Sequence, residues 1–195
     1  MKIDVILGST RQGRFSEKPG AWMLAELSRR KDVTSELLDL RNYPMPFFDE
    51  PVSPSMAKEP YKNEAVGRWI KKITEADGFV IIVPEYNHGY PAVLKNALDY
   101  TYYPWNKKAV GFVGYGSVMG ARSIEQLRLV VAELQMASMR TAVHIPFPVY
   151  MAAKNAEGKD AVEDAFSPVA EQANMMLDQL LWWTKALKSA REHTS

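Results

Sequence analysis

Three stretches of the chain gather groups able to hold an anion or a planar heterocycle. Gly8-Ser9-Thr10-Arg11-Gln12-Gly13-Arg14-Phe15-Ser16 places hydroxyls, backbone donors and two guanidinium groups just ahead of a helical pattern. Helix-end amides and forked Arg contacts both favour a phosphate. Taken alone, the same residues read equally well as a solvated turn in which Ser16 caps the helix. Neither the Lys-Ser/Thr ending of a Walker loop nor a G-x-G-x-x-G turn is present, so a nucleoside triphosphatase and an ordinary dinucleotide-binding turn are not supported. The second stretch, Pro84-Glu85-Tyr86-Asn87-His88-Gly89-Tyr90, follows an apolar run. There backbone groups can read the edges of a ring while Tyr86 packs against its face, and Pro84 restrains the turn. A plain strand-to-helix connection with Tyr86 and Tyr90 in the core is the alternative. The third, Gly114-Tyr115-Gly116-Ser117-Val118-Met119-Gly120, permits close backbone approach to a ligand, or is a glycine-rich turn that holds none. Ser117 lies in G-S-x-x-G rather than G-x-S-x-G, which argues against a hydrolase nucleophile.

These stretches must be positioned by something regular. Strand patterns fall at Lys2 to Leu7, Thr34 to Leu40, Gly78 to Val83, Ala109 to Tyr115 and Ser138 to Ile145. Helical spacing fills the intervals: Ser16 to Arg30, Lys62 to Ala76, Pro91 to Tyr102 with Pro91 at the first helical position, the run through Ile124, Leu127, Val131 and Leu134, and about Ala165 to Ser189. Strands alternating with helices predict an α/β, doubly wound, five-stranded parallel sheet in three layers, with ligands beyond the carboxyl ends of its strands. The loops after strands one, three and four then share one edge. The proline-rich segment from Arg41 to Pro60 reads as a long covering loop, and Pro146 and Pro148 as a break after the last strand.

Composition narrows the chemistry. The 195 residues contain 24 Lys+Arg against 23 Asp+Glu, a formal charge of +1 that argues against nucleic acid or an anionic membrane as a partner. With no cysteine there is no thiolate nucleophile, cluster ligand or disulfide, and no apolar run spans a bilayer, so a cytoplasmic protein is expected. His88, His144 and His193 are too scattered to bind a metal, and none is expected. His88 is read either as a proton donor to a reduced acceptor or, preferentially, as a loop residue bonded to its own backbone.

In order, GSTRQGRFS, PEYNHGYPAVLKNALDY and GYGSVMGARS resemble the NADPH-dependent FMN reductase family, flavodoxin-like proteins that include quinone, azo-dye and chromate reductases. The resemblance runs from Met1 to about Ile145. It implies one flavodoxin-like domain over residues 1–195, noncovalent FMN, hydride from NADPH or NADH, a quinone-like or other small acceptor, and a homodimer or homotetramer. Carried over by motif, Ser9, Arg11, Phe15 and Ser16 would hold the FMN phosphate. Pro84, Glu85, Tyr86 and Asn87 would contact the isoalloxazine, and Tyr115, Gly116 and Ser117 would flank its other side. Members often carry a further glycine pair where this chain has Ser117-Val118-Met119-Gly120, which alters the expected ring contacts. The tail after Pro146 takes no family role, and no acid/base pair stands out.

A flavodoxin-type electron carrier is the rival reading, disfavoured by the near-neutral charge; a flavin-dependent redox sensor is another, with no partner indicated. The Pro44 to Phe48 loop and Trp105 are expected either to shield the flavin or border an acceptor pocket, or simply to anchor the loop. Arg14 and Arg122 are read as solvated in preference to meeting a cofactor 2′-phosphate. The apolar last helix, with Trp182 and Trp183, is expected to pack on the sheet and to offer a face to another subunit.

Overall fold

The computed structural model describes residues 1–57 and 61–193. Five strand positions form a parallel sheet in the order β2 (Leu37–Asp39), β1 (Ile3–Leu7), β3 (Gly78–Pro84), β4 (Ala109–Tyr115), and then β5 (Ala137–Ser138) with β6 (Val143–Ile145), both of which pair with β4. This is the flavodoxin-like α/β arrangement. The three central strands are buried throughout, as strands covered on both faces must be.

Side chains alternate between two cores. Ile3, Val5, Leu7, Val80, Ile82 and Val113 face α1 (Glu17–Ser28) and the C-terminal helices α5 (Phe147–Asn155), α6 (Lys159–Ala165) and α7 (Ala170–His193). Ile6, Phe79, Ile81, Val83, Val110 and Phe112 face α2 (Glu64–Glu75), α3 (Ala92–Asp99) and α4 (Ala121–Glu133). Asn63 starts α2 by accepting the amides of Ala65 and Val66, and the indole of Trp69 donates to the Ala97 carbonyl at 2.8 Å, tying α2 to α3.

Register fixes the working edge. Leu7 pairs with Ile82, and Pro84 pairs with Tyr115, so the chain leaves β1, β3 and β4 on the same side of the sheet. The opposite end carries buried charge. Asp4 is 0% exposed, ion-pairs with Lys2 at 3.4 Å and accepts the Glu36 amide at 3.1 Å. Burial pushes its carboxyl up to about 6, although Lys2 pulls the other way. Lys108 donates to the Ile73 and Thr74 carbonyls at the end of α2, and burial pushes its ammonium down to about 8.

Several expected boundaries shift. The fifth strand is split, because after the Met139 amide bonds the Val110 carbonyl, Arg140 to Ala142 leave the ladder, while Arg128 of α4 binds the Ser138 hydroxyl and the Arg140 carbonyl. The other edge strand contracts to Leu37–Asp39, with Thr34 retained only as a single bridge to Lys2. Edge strands have one neighbour and lose little by shortening. Pro91 is extended, at φ −64° and ψ 143°, and precedes α3, which ends at Asp99. The segment after Pro146 starts a helix, since Pro148 falls in the first turn of α5, where its missing N–H costs nothing. Two further helices, α5 and α6, therefore precede α7, which begins at Ala170 rather than near Ala165. The long loop is irregular over its described part after a short turn at Leu40–Asn42, and its residues 58–60 lie outside the described residues.

Candidate functional site

The three motif loops meet at the working edge. A cavity of about 280 Å³ opens there between Pro84, Glu85 and Tyr86 after β3 and Tyr115, Gly116 and Ser117 after β4. Its third wall comes from α5, through Phe147 and Tyr150. The volume is near the lower end of the range of roughly 300–1,000 Å³ for small-molecule sites. A larger groove, about 410 Å³, lies against α2 and the 100–104 segment and is lined by none of the expected residues.

The first loop adjoins this cavity. The Ser9 hydroxyl, fully buried, lies 2.7 Å from the Tyr86 hydroxyl and accepts the Arg11 amide at 3.3 Å, which joins the first loop to the second. Arg11 is exposed, and the neighbouring Tyr86 favours its charged form. Among the described residues, the amides of Thr10, Gln12, Gly13, Phe15 and Ser16 have no acceptor. The Ser16 hydroxyl is fully buried and equally unpartnered, and it makes no capping bond to α1. The Tyr115 phenol is a second buried hydroxyl outside hydrogen-bond geometry; burial raises its pKa far above the ordinary value, while the adjoining Ser16 hydroxyl pulls it the other way. Unpaired buried polar groups cost free energy. The side-chain capping alternative for Ser16 is not realised.

Phe15 plays a narrower part than its place in the motif implies. Its ring packs on Tyr115 at 5.1 Å and on Tyr150 at 4.4 Å, in the core, which leaves its amide for an anion. Arg14 does not join Arg11 beside the free amides. Its side chain is only 1% exposed and is held by Asp39, Glu17 and the Ser9 carbonyl, so both the solvated and the 2′-phosphate readings are corrected. Arg122 is ion-paired with Glu85 at 3.0 Å rather than free.

That pair also occupies the Glu85 carboxylate. It accepts the Arg122 amide as well, near the amino end of α4, where a helix favours negative charge. The Pro84 carbonyl accepts the Ser123 hydroxyl at 2.9 Å, so α4 holds the start of the second loop by three hydrogen bonds. Tyr86 and Gly89 exchange backbone bonds of 2.8 and 3.1 Å around Asn87 and His88, whose φ values are 49° and 72°. Both central residues of a tight hairpin turn take that sign. Their side chains are exposed at its tip, so that in this loop Pro84, Glu85 and Tyr86 line the cavity and Asn87 adjoins it. The His88 ring has no hydrogen bond among the described residues; its carbonyl accepts from Gln126, so the expected bond to its own backbone is absent.

The third loop needs glycine at two points. Gly116 has φ +140°, and a Cβ there would lie 3.0 Å from the Glu85 Cβ; at Gly120, φ is +72° and a Cβ would lie 2.6 Å from the Tyr115 nitrogen. The loop thus folds tightly back on β4 and keeps Gly116 flush with the cavity wall. Trp105 is fully buried against Phe79 and Trp69 and borders no pocket at the site. The Pro44 to Phe48 loop is anchored instead, with Asn96 bonding both Pro46 and Phe48.

Phe147 and Tyr150 were missed by sequence reasoning. The available signal was an aromatic pair three residues apart directly after the last strand, whose loop must open on the same edge as the others. Arg41 and Asp39, which buttress the first loop, gave no local signal.

An open parallel sheet with its ligand-holding loops beyond the strand ends, unpaired amides and buried hydroxyls at the first turn, and an aromatic cavity at the switch point defines a nucleotide-type cofactor protein of the flavodoxin class. The family model for NADPH-dependent FMN reductase matches residues 1–148. The chain belongs to that family, whose members use FMN and NAD(P)H, and it is an oxidoreductase. It is 39% identical over 147 residues to the NAD(P)H-dependent FMN reductase of Schizosaccharomyces pombe, covering 75% of this chain and 74% of that one. It is 35% identical over 112 residues to a 2-hydroxy-1,4-benzoquinone reductase of a Burkholderia species, covering 57% and 55%. Among solved structures, the NAD(P)H:(acceptor) oxidoreductase FerB of Paracoccus denitrificans superposes with a TM-score of 0.71 at 23% identity, over 95% of this chain and 97% of that one, a likeness of fold. Among the described residues no helix is long and apolar enough to cross a membrane.

Proposed function

We propose that this chain binds FMN across the three loops and reduces quinone-like acceptors at the expense of NADPH or NADH. The observation that carries the reading is the unpartnered, fully buried Ser16 hydroxyl among free amides, beside a cavity with aromatic walls. The residues fit the cofactor at both ends. Ser9, Arg11, Ser16 and the amides through Phe15 offer a phosphate donors and one uncompensated charge. Pro84, Glu85, Tyr86, Tyr115, Gly116 and Ser117 offer a planar ring a slot closed by Phe147 and Tyr150.

When bound, FMN supplies acceptance and delivery of a hydride. The protein's own work is then binding and alignment. The Ser9–Tyr86 contact holds the phosphate loop and the ring loop in fixed relation, and the hairpin at Asn87 and His88 stiffens the second wall, which reduces what ordering costs on binding. No side chain in the cavity is required as a nucleophile. The quinone-like acceptor is supported by the likeness to a benzoquinone reductase. Met175, Trp182 and Trp183 remain exposed on α7, and we assign that apolar face to a second copy of the chain in a homodimer or homotetramer.

The test is to load the protein with FMN, remove free flavin, and add NADPH or NADH without oxygen while following visible absorption. Bleaching, reversed by 2-hydroxy-1,4-benzoquinone, is the expected result. A bound flavin that stays oxidised with both nicotinamides would favour an electron carrier, and failure to retain FMN would overturn the assignment of all three loops.

A further inference from the structure

Arg14 and Arg41 approach the first loop from the side away from its free amides, and they touch only its carbonyl oxygens. Arg14 donates to the Ser9 carbonyl, to both Asp39 oxygens, at 2.8 and 2.5 Å, and to Glu17 at 3.0 Å. Arg41 donates to the Thr10 carbonyl at 3.2 Å, the Arg11 carbonyl at 2.7 Å and Glu17 at 3.1 Å. Three successive carbonyls are thereby drawn toward one pair of guanidinium groups. In a trans peptide the C=O and the following N–H point in opposite directions. Drawing the Ser9, Thr10 and Arg11 carbonyls outward therefore turns the amides of Thr10, Arg11 and Gln12 inward. Of these, the Arg11 amide meets Ser9, and the other two have no acceptor among the described residues. Consecutive amides facing one way form an anion-binding concavity. The buried, unpartnered Ser16 hydroxyl independently marks the same end of α1 as a ligand position.

The charges show what the two arginines do not contribute. Asp39 and Glu17 answer Arg14 and Arg41 one for one, so the cluster is neutral as a whole. Its effect on a phosphate comes through geometry, with direct attraction left to Arg11 and the amides. We propose that Arg14 and Arg41 are positioning residues that make the loop selective for a phosphate ester, discriminating FMN from riboflavin without touching either. This rests on the phosphate reading of the first loop given above.

The test compares FMN and riboflavin affinities by quenching of flavin fluorescence in wild type, Arg41→Met, Arg41→Lys and Arg14→Lys, with the ³¹P shift of bound FMN as a second readout. Arg41 is 37% exposed at its side chain, so its removal leaves the core intact. Arg41→Met is expected to raise the FMN Kd about tenfold while the riboflavin Kd stays within about twofold, and to move the ³¹P resonance. Arg41→Lys, which keeps a donor but not the fork, should recover part of the loss, and Arg14→Lys should reduce the FMN preference in the same direction. An equal loss for both flavins, or no loss for either, would overturn the positioning role while leaving the cofactor assignment standing. A wild-type protein with no preference for FMN over riboflavin would instead remove the phosphate site, and this inference with it.

Discussion

Replacing Ser16 by alanine should move two quantities in opposite directions. In the free protein the Ser16 hydroxyl is 0% exposed and without a partner. A buried polar group in that position costs about 1–3 kcal/mol. Removing the oxygen relieves that cost, partly offset by the small void left behind, for a net gain of about 1 kcal/mol. For a chain of this size that corresponds to a rise in Tm of roughly 2–4 °C for the flavin-free protein. With a phosphate bound, the same hydroxyl donates to a charged acceptor, a bond of about 1.5–3 kcal/mol, so its loss raises the FMN Kd roughly ten- to hundredfold. Thermal melts of the flavin-free variant and fluorescence titration with FMN measure the two effects separately. A less stable free protein that binds FMN with unchanged affinity would show the hydroxyl to be structural and would refute the reasoning.

Three other substitutions probe different parts of the molecule. Arg11→Ala should raise the FMN Kd by about tenfold or more and flatten its dependence on salt, since the uncompensated charge is gone; titration at two ionic strengths checks both. Gly116→Ala should destabilise the chain by about 1–3 kcal/mol in urea unfolding and weaken FMN retention, because its φ of +140° and the 3.0 Å approach to Glu85 both oppose a Cβ. Asp4 should give the protein a pH signature. Its carboxyl titrates at about 6 when folded, above its ordinary 3.8, so the folded chain binds the extra proton between those values. The resulting stability is fully present below about pH 4 and is lost as pH rises through 6. Asp4→Asn should remove that slope and melt higher than wild type at pH 7.5 by the equivalent of about 1–2 kcal/mol, with the gap closing toward pH 4.

The central strands were legible because each is a mainly apolar run closed by Gly or Pro, interrupted only at Asp4 in β1, and burial on both faces demands that composition. The edge strands were overread for a related reason. Thr34 to Leu40 and Ser138 to Ile145 carry β-forming residues, but the number that pair depends on a single neighbour, and periodicity does not report it. Pro148 misled because a helix breaker inside a helix is harmless in its first turn, and only the fold shows which applies. At the site, motif order located the loops, while the direction of each side chain depended on distant partners. Arg14 is withdrawn by Asp39, 25 residues away, and the Glu85 carboxylate by Arg122, 37 residues away. The Asn87 side chain goes to solvent for a local reason, since it sits in the two-residue turn and only its backbone is left to face a ring.

The cavity is assembled from chain segments with separate obligations. The family model ends at residue 148, within the first turn of α5, yet Tyr150 forms part of the wall beyond that point. The loops after β1, β3 and β4 are locked to one another and to the sheet, whereas Phe147, at 69% exposure, answers to no such network. Of the two aromatics in that wall only Phe147 is therefore exchangeable, since Tyr150 packs on Phe15 of the first loop at 4.4 Å and Val149 and Ala153 belong to the core. Substituting Phe147 would reshape the space over the slot while leaving the anion loop as it is, so that the range of acceptors can be altered while the grip on the cofactor is kept.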